Sequence, residues 1–200
     1  LEFRRVLFRS HVLLEEGGEP YEARLVDLRR GELRTEAYRK INPGGNVPAL
    51  QLDDGEVIGE NTAILPFLGK RFGLWPTDTI EEARALSLIG FFATTVATAH
   101  ARALHPDYFV LDESAIPTVK AAALEAFHRH LNRIDQMLAG KQWLLGKYSA
   151  CDPYAFGFYT WGLRRDVPMV ELRNFTRFKD QMLQRPAVRR IVEKEGLRVN

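Results

Sequence analysis

Gly59-Glu60-Asn61-Thr62-Ala63-Ile64 places a carboxylate and two polar caps at the opening of an apolar segment. Asn61 or Thr62 can cap a helix there, and the free backbone N–H groups of a helix start attract a carboxylate. Beside them the Glu60 side chain can accept an ammonium group. Together these features suit an amino-acid head group, and they equally make an ordinary capped helix start. Upstream, Asn46-Val47-Pro48-Ala49-Leu50 sets a proline inside a strand-like run. Proline cannot complete a ladder and is tolerated where an edge faces a ligand or solvent. An X–Pro bond is cis in only ~5% of cases, so residue types alone favour a trans edge-strand proline. A third segment, Ser149-Ala150-Cys151-Asp152, is a capping box of the Ser-x-x-Asp form, whose work is to start a helix. Cys151 sits inside it and reads as a packed thiol, not a nucleophile.

Elements that could position these groups follow from the hydrophobic pattern. His11 to Gly17 reads as the end of an amphipathic helix stopped by Gly17-Gly18. Ala23 to Leu28 reads as a short buried strand, and Leu33 to Lys40 as a polar helix ended by Asn42-Pro43-Gly44-Gly45. Val47 to Leu52, the turn Asp53-Asp54-Gly55 and Glu56-Val57-Ile58 make a hairpin. Asn61 to Phe72 is a helix with Ile64, Phe67, Leu68 and Phe72 on one face. The order is α-β-α-β-β-α, and one more strand in front would give β-α-β-α-β-β-α. After Leu74 to Asp78 the pattern is helical only: Glu81 to Leu104, Ile116 to Gly140, Ser149 to about Leu163, Leu172 to Gln184 and Pro186 to Glu195. The third of these is apolar nearly all round, which puts it in the middle of a domain.

Composition narrows the partners. The 200 residues hold 28 basic and 26 acidic side chains, a net charge of +2. That balance argues against nucleic acid, which needs a concentrated basic face. The single cysteine permits no internal disulfide and no cysteine-based zinc site, and suits a reducing cytosol. No apolar run approaches the ~20 residues of a membrane span, and no signal peptide is read at the start.

The segments Ile41-Asn42-Pro43 with Val47-Pro48-Ala49-Leu50, Glu60-Asn61-Thr62-Ala63-Ile64-Leu65, Gly146-Lys147-Tyr148-Ser149-Ala150-Cys151-Asp152-Pro153-Tyr154 and Arg185-Pro186-Ala187-Val188, in this order, resemble the marker segments of glutathione transferases. The likeness covers residues 11 to 200 and is nearest in flavour to bacterial, beta-class-like members. It implies a thioredoxin-like N-terminal domain followed by an all-α helical domain, and glutathione as co-substrate. Val47 would pair through its backbone with the cysteinyl part, with Pro48 in cis. Glu60 and Asn61 would hold the γ-glutamyl head; the family often has Ser where Asn61 stands, a mild departure. Phe92, Val96 and His100 would face a second-substrate pocket for a small hydrophobic electrophile, though His100 equally suits a surface or interface role. A homodimer in the cytoplasm is implied by the family alone.

Leu1 to Ser10 resembles the translation of a widely used short-read sequencing adapter, and Val6-Leu7-Phe8 otherwise has strand character. The expected division is therefore a non-native segment 1–10, a glutathione-binding domain 11–73 lacking its first strand, a linker 74–80 and a helical domain 81–200. The family's activating Tyr, Ser or Cys lies just after the first strand. Counting back reaches Val6-Leu7, which cannot activate a thiol, and Ser10 falls at a different point. No catalytic residue is carried over. Two rivals stay open: a non-catalytic scaffold of the same fold, and a glutathione-dependent reductase or isomerase.

Overall fold

Phe8, Val12 and Leu13 bury one side of a helix α1, which spans Arg4–Gly17. The computed structural model describes residues 4–27 and 30–200. Gly18, at φ 67°, ends α1 in the left-handed conformation that glycine adopts without steric cost. The helix runs through residue 10 without a break, so the strand-like Val6-Leu7-Phe8 is helical in backbone. The expected boundary after residue 10 falls inside this element.

Residues 23–27 form no strand; Leu28 of that expected strand lies outside the described residues. A strand is stabilised by a neighbour, and none is laid beside this segment. Its end is instead recruited into a turn. The Asp27 N–H donates to Glu32 Oε2 at 2.7 Å, and the Arg30 N–H donates to Asp27 Oδ1 at 3.2 Å. Leu25 is left exposed, while Val26 is buried.

A helix α2 spans Glu36–Ile41, capped by the Thr35 hydroxyl. Strands β1 (Ala49–Gln51) and β2 (Val57–Gly59) pair antiparallel with Leu50 opposite Ile58. Gly55, at φ 90°, supplies the turn between them. Then α3 spans Asn61–Arg71, and its buried Ile64, Leu65 and Leu68 face α1.

Asp78 accepts from the N–H groups of Ile80 and Glu81, at 3.0 Å each, and so starts α4 (Thr79–Phe91). The expected single helix continues through a π-helical turn, Phe92–Val96, into α5 (Ala97–Leu104). At this turn the adjacent rings serve different neighbours. Phe91 packs on His130 and Arg133, and Phe92 on Tyr154 and Phe158. Helices α6 (Ile116–Met137), α7 (Cys151–Arg164), α8 (Arg173–Leu183) and α9 (Pro186–Glu195) complete the chain. Every residue of α7 from Cys151 to Gly162 is buried, as its all-round apolar pattern predicts. It is enclosed by α1, α4, α6 and α8.

One apolar core joins both halves, from Phe8 and Ile64 to Phe127, Phe156 and Phe175. Each fully buried phenylalanine contributes about 2–3 kcal/mol. Polar clasps tie α1 to the end of the chain. Arg185 donates to both Glu16 oxygens at 2.6 and 2.8 Å, and His11 Nδ1 lies 2.7 Å from Glu195 Oε1. Among the described residues no helix is long and apolar enough to cross a membrane, and no group of three or more His, Cys, Asp or Glu could hold a metal.

Candidate functional site

The loop before β1 is tied down by its own polar side chains. Buried Asn42 donates through Nδ2 to the Asn46 carbonyl and to Asn46 Oδ1, both at 2.9 Å. Its own Oδ1 accepts from the Gly44 N–H at 3.1 Å. The Tyr38 hydroxyl donates to the same Asn46 carbonyl at 2.7 Å. This fixes the approach to Val47 and Pro48, which are joined by a cis peptide bond.

Glu60 immediately precedes α3 and has φ 63°, ψ 130°. A side chain with a Cβ rarely adopts positive φ, and such residues cluster at ligand sites and switches. The conformation is held from two sides. The Glu60 carbonyl accepts from the N–H groups of Ala63 and Ile64 at 3.0 and 2.9 Å, and Asn46 Nδ2 donates to Glu60 Oε1 at 2.7 Å. No side chain caps α3, so its first N–H groups stay open to an anion. Next to it, Asn61 is 7% exposed, and its Oδ1 is buried with no hydrogen-bond partner. An unpaired buried acceptor costs about 1–3 kcal/mol, which a donor from a ligand would recover. The expected group thus comes together in part: Pro48 is buried, Val47 and Glu60 are accessible, and one Asn46 side chain links the two segments.

Phe92, Val96 and His100 are placed differently from the expected pocket. Phe92 and Val96 have no exposed surface, being packed in the core against α7. His100 stacks on Trp161 with ring centroids 4.2 Å apart and accepts from Arg165 Nε at 3.5 Å. The family resemblance implied a pocket along this side of the helix, and α7 covers it. Burial first, then the nearby Arg165, Arg9 and His105, push the His100 pKa down to about 3. The imidazole is therefore neutral. Because the folded pKa lies below the unfolded value, its contribution to stability is present above about pH 6.5 and is lost as pH falls towards 3. A His100→Leu variant should show a flatter fall in stability between pH 7 and 4 than the parent, measured by urea unfolding at each pH.

Sequence reasoning missed Tyr38, Asn46, Arg9 and Tyr154. Tyr154 on α7 has its phenol pKa raised by burial, with Arg9 opposing and Glu60 adding to the rise. Asn46, adjoining Val47 in sequence, carried a signal in its type; Arg9 and Tyr154 carried none. Ser10 lies within α1 and is buried. Cys151 has its thiol pKa pushed up to about 12 by burial, which leaves it inert at neutral pH.

Residues 7–71 match the family described as glutathione S-transferase, N-terminal domain. The chain is 28% identical over 195 residues to glutathione S-transferase GstA of Escherichia coli O157:H7, covering 94% of each. A Sphingomonad glutathione S-transferase complexed with glutathione superposes with a TM-score of 0.83, at 30% identity and 96% coverage of both chains. A glutathione transferase homologue from Sulfitobacter with bound glutathione gives 0.87, at 27% identity, covering 94% of this chain and 93% of that one. The architecture is accordingly a thioredoxin-like N-terminal half followed by a helical half. The marker segments, the order of the elements and these likenesses converge: the chain belongs to the glutathione S-transferase family.

Proposed function

We propose that the chain binds glutathione and joins or exchanges its thiol with a small hydrophobic electrophile. The observation that carries this reading is the turn before α3. There an exposed carboxylate at positive φ, an unpartnered buried amide oxygen and open helix N–H groups lie side by side. Glu60 and Asn61 Oδ1 accept from the ammonium of the γ-glutamyl head, and the N–H groups at the start of α3 donate to its carboxylate. The backbone of Val47, with Pro48 behind it, pairs with the cysteinyl part. A free thiol has pKa ~8.5, so the site must favour the thiolate for attack at neutral pH. The thiol proton leaves to solvent, and the thiolate lone pair forms the new bond to the electrophilic atom. In the same step that atom's leaving group departs with its bonding pair or, in an addition, its π pair moves to the neighbouring atom, which takes a proton from solvent. No residue of this chain is assigned to activating the thiol. We also read residues 1–10 as non-native from their likeness to an adapter translation, the family type as beta-class-like from the marker segments, and the working form as a cytoplasmic homodimer from the family resemblance.

Calorimetric titration tests the reading. Glu60→Ala should weaken glutathione binding about tenfold or more, the effect of losing a hydrogen bond to a charged group. The dipeptide cysteinylglycine, which lacks the γ-glutamyl head, should bind parent and variant alike. A parent chain with no measurable glutathione affinity would favour the non-catalytic scaffold. Equal affinity of parent and variant for glutathione would remove Glu60 from the site.

A further inference from the structure

Gly44, Asn42, Asn46 and Glu60 form a chain of hydrogen bonds whose direction is set from one end. The Gly44 N–H lies 3.1 Å from Asn42 Oδ1, and a backbone N–H can only donate, so that atom of the amide is the oxygen. Asn42 Nδ2 then donates to Asn46 Oδ1 at 2.9 Å. With its oxygen used there, Asn46 turns its Nδ2 to Glu60 Oε1 at 2.7 Å. Turning either amide over would set donor against donor or acceptor against acceptor. The Asn46 main chain is held as well, since its carbonyl accepts from Asn42 Nδ2 and from the Tyr38 hydroxyl, at 2.9 and 2.7 Å. Asn42 and Tyr38 are buried, whereas Asn46 and Glu60 are exposed. A fixed interior thus dictates which group Asn46 offers at the surface: an amide donor.

We propose that Asn46 is a positioning residue for the γ-glutamyl head, acting through Glu60; this rests on the glutathione reading above. An exposed glutamate samples many rotamers, and a ligand that must order it binds more weakly. Asn46 restricts Glu60 beforehand by holding Oε1, and leaves Oε2 to accept from the ammonium. Water competes for this exposed bond until a head group covers it, and a hydrogen bond shielded from water is stronger. Asn46 also adjoins Val47, the residue whose backbone faces the cysteinyl part in that reading. The two ends of the ligand therefore meet one anchor. The direction of the chain makes residue 42 part of the same device. Asn42→Asp keeps the acceptor for Gly44 but loses the donor for Asn46. The Asn46 amide then turns its nitrogen to residue 42 and its oxygen to Glu60, so that two acceptors face each other.

The test is a double-mutant cycle on the full 200-residue chain, read by calorimetric titration with glutathione and with cysteinylglycine. Asn46→Ala should weaken glutathione about fivefold, the effect of one hydrogen bond, and leave cysteinylglycine unchanged. Placed in the Glu60→Ala background, the same change should cost nothing more, because Asn46 acts only through that carboxylate. Asn46→Asp sets a second carboxylate against Glu60 and should weaken glutathione more than Asn46→Ala does. Asn42→Asp should also weaken glutathione about fivefold, from a buried position in the loop. Equal losses for glutathione and cysteinylglycine would mean that Asn46 merely supports the loop, and would overturn the proposal. Additive losses in the cycle would overturn it too, since Asn46 would then act without Glu60. A parent that binds no glutathione would overturn the reading on which this one rests, and this one with it; additive losses in a parent that binds overturn this one alone.

Discussion

Replacing Asp152 by alanine should lower stability by about 3–5 kcal/mol, because three buried donors lose their acceptor at about 1–3 kcal/mol each. In a chain of this size that is a fall in melting temperature of about 10 °C. Asp152 is wholly buried at the start of α7 and accepts three hydrogen bonds. Its Oδ1 takes the Leu144 N–H at 3.1 Å, and its Oδ2 takes the Ser149 N–H at 2.8 Å and the Ser149 hydroxyl at 3.0 Å. Alanine leaves all three donors without a partner inside the core. The same carboxylate thus fastens the 144–149 loop to the most deeply buried helix.

The size of this loss should depend on pH in an unusual direction. Burial pushes the Asp152 carboxyl up to about 7, against the three donors that favour its anion. Its folded pKa thus lies above the unfolded value, so its contribution is complete below about pH 4 and is eroded as pH rises through 7. Denaturant unfolding of parent and Asp152→Ala should therefore give a gap that narrows from pH 5 to pH 8. A gap that widens over that range would mean the three donors outweigh burial and the group is an anion throughout.

The opposite sign is expected at Arg9. Arg9→Met should raise stability by about 1–3 kcal/mol, the range by which an apolar replacement outperforms a buried charge. Arg9 is 2% exposed, and its Nε and Nη2 have no hydrogen-bond partner. The guanidinium lies 4.0 Å from the Tyr154 ring centroid, 4.8 Å from Trp161 and 5.1 Å from Phe158. Such cation–π contact contributes about 2 kcal/mol when desolvated. Each orphaned donor costs about 1–3 kcal/mol, and burial lowers the Arg9 pKa to about 10. Desolvation wins this balance. Methionine fills a similar space with a flexible, polarizable chain. Arg9→Ala, which leaves a cavity, should melt well below Arg9→Met. A methionine variant less stable than the parent would show that the three rings compensate the charge.

Much of the second half was legible because its information is local. The Ser149-x-x-Asp152 box and the unbroken apolar run after it announced α7, and Pro186 announced α9. The hairpin was visible from Asp53-Asp54-Gly55. The first half was less legible where structure depends on a distant partner. Ala23 to Asp27 has strand composition but no neighbour to pair with, so composition could not decide its state. Residues 4–10 joined α1 despite strand-like residues, because Phe8 stacks on Phe156 of α7 at 5.3 Å. At the candidate site, Glu60 and Asn61 were readable as a helix opening. The Asn46 link that holds Glu60 spans fourteen positions and required coordinates. The π-helical turn at Phe92–Val96 left no trace in a pattern that reads as one helix.

The clasp between α1 and α9 also bears on how the chain is made. On a ribosome α1 is made long before its partners Arg185 and Glu195. Domains usually settle in the order of synthesis. Here Glu16 lacks Arg185 and His11 lacks Glu195 until synthesis is nearly through, so a nascent chain halted before residue 185 should stay open to proteases at α1.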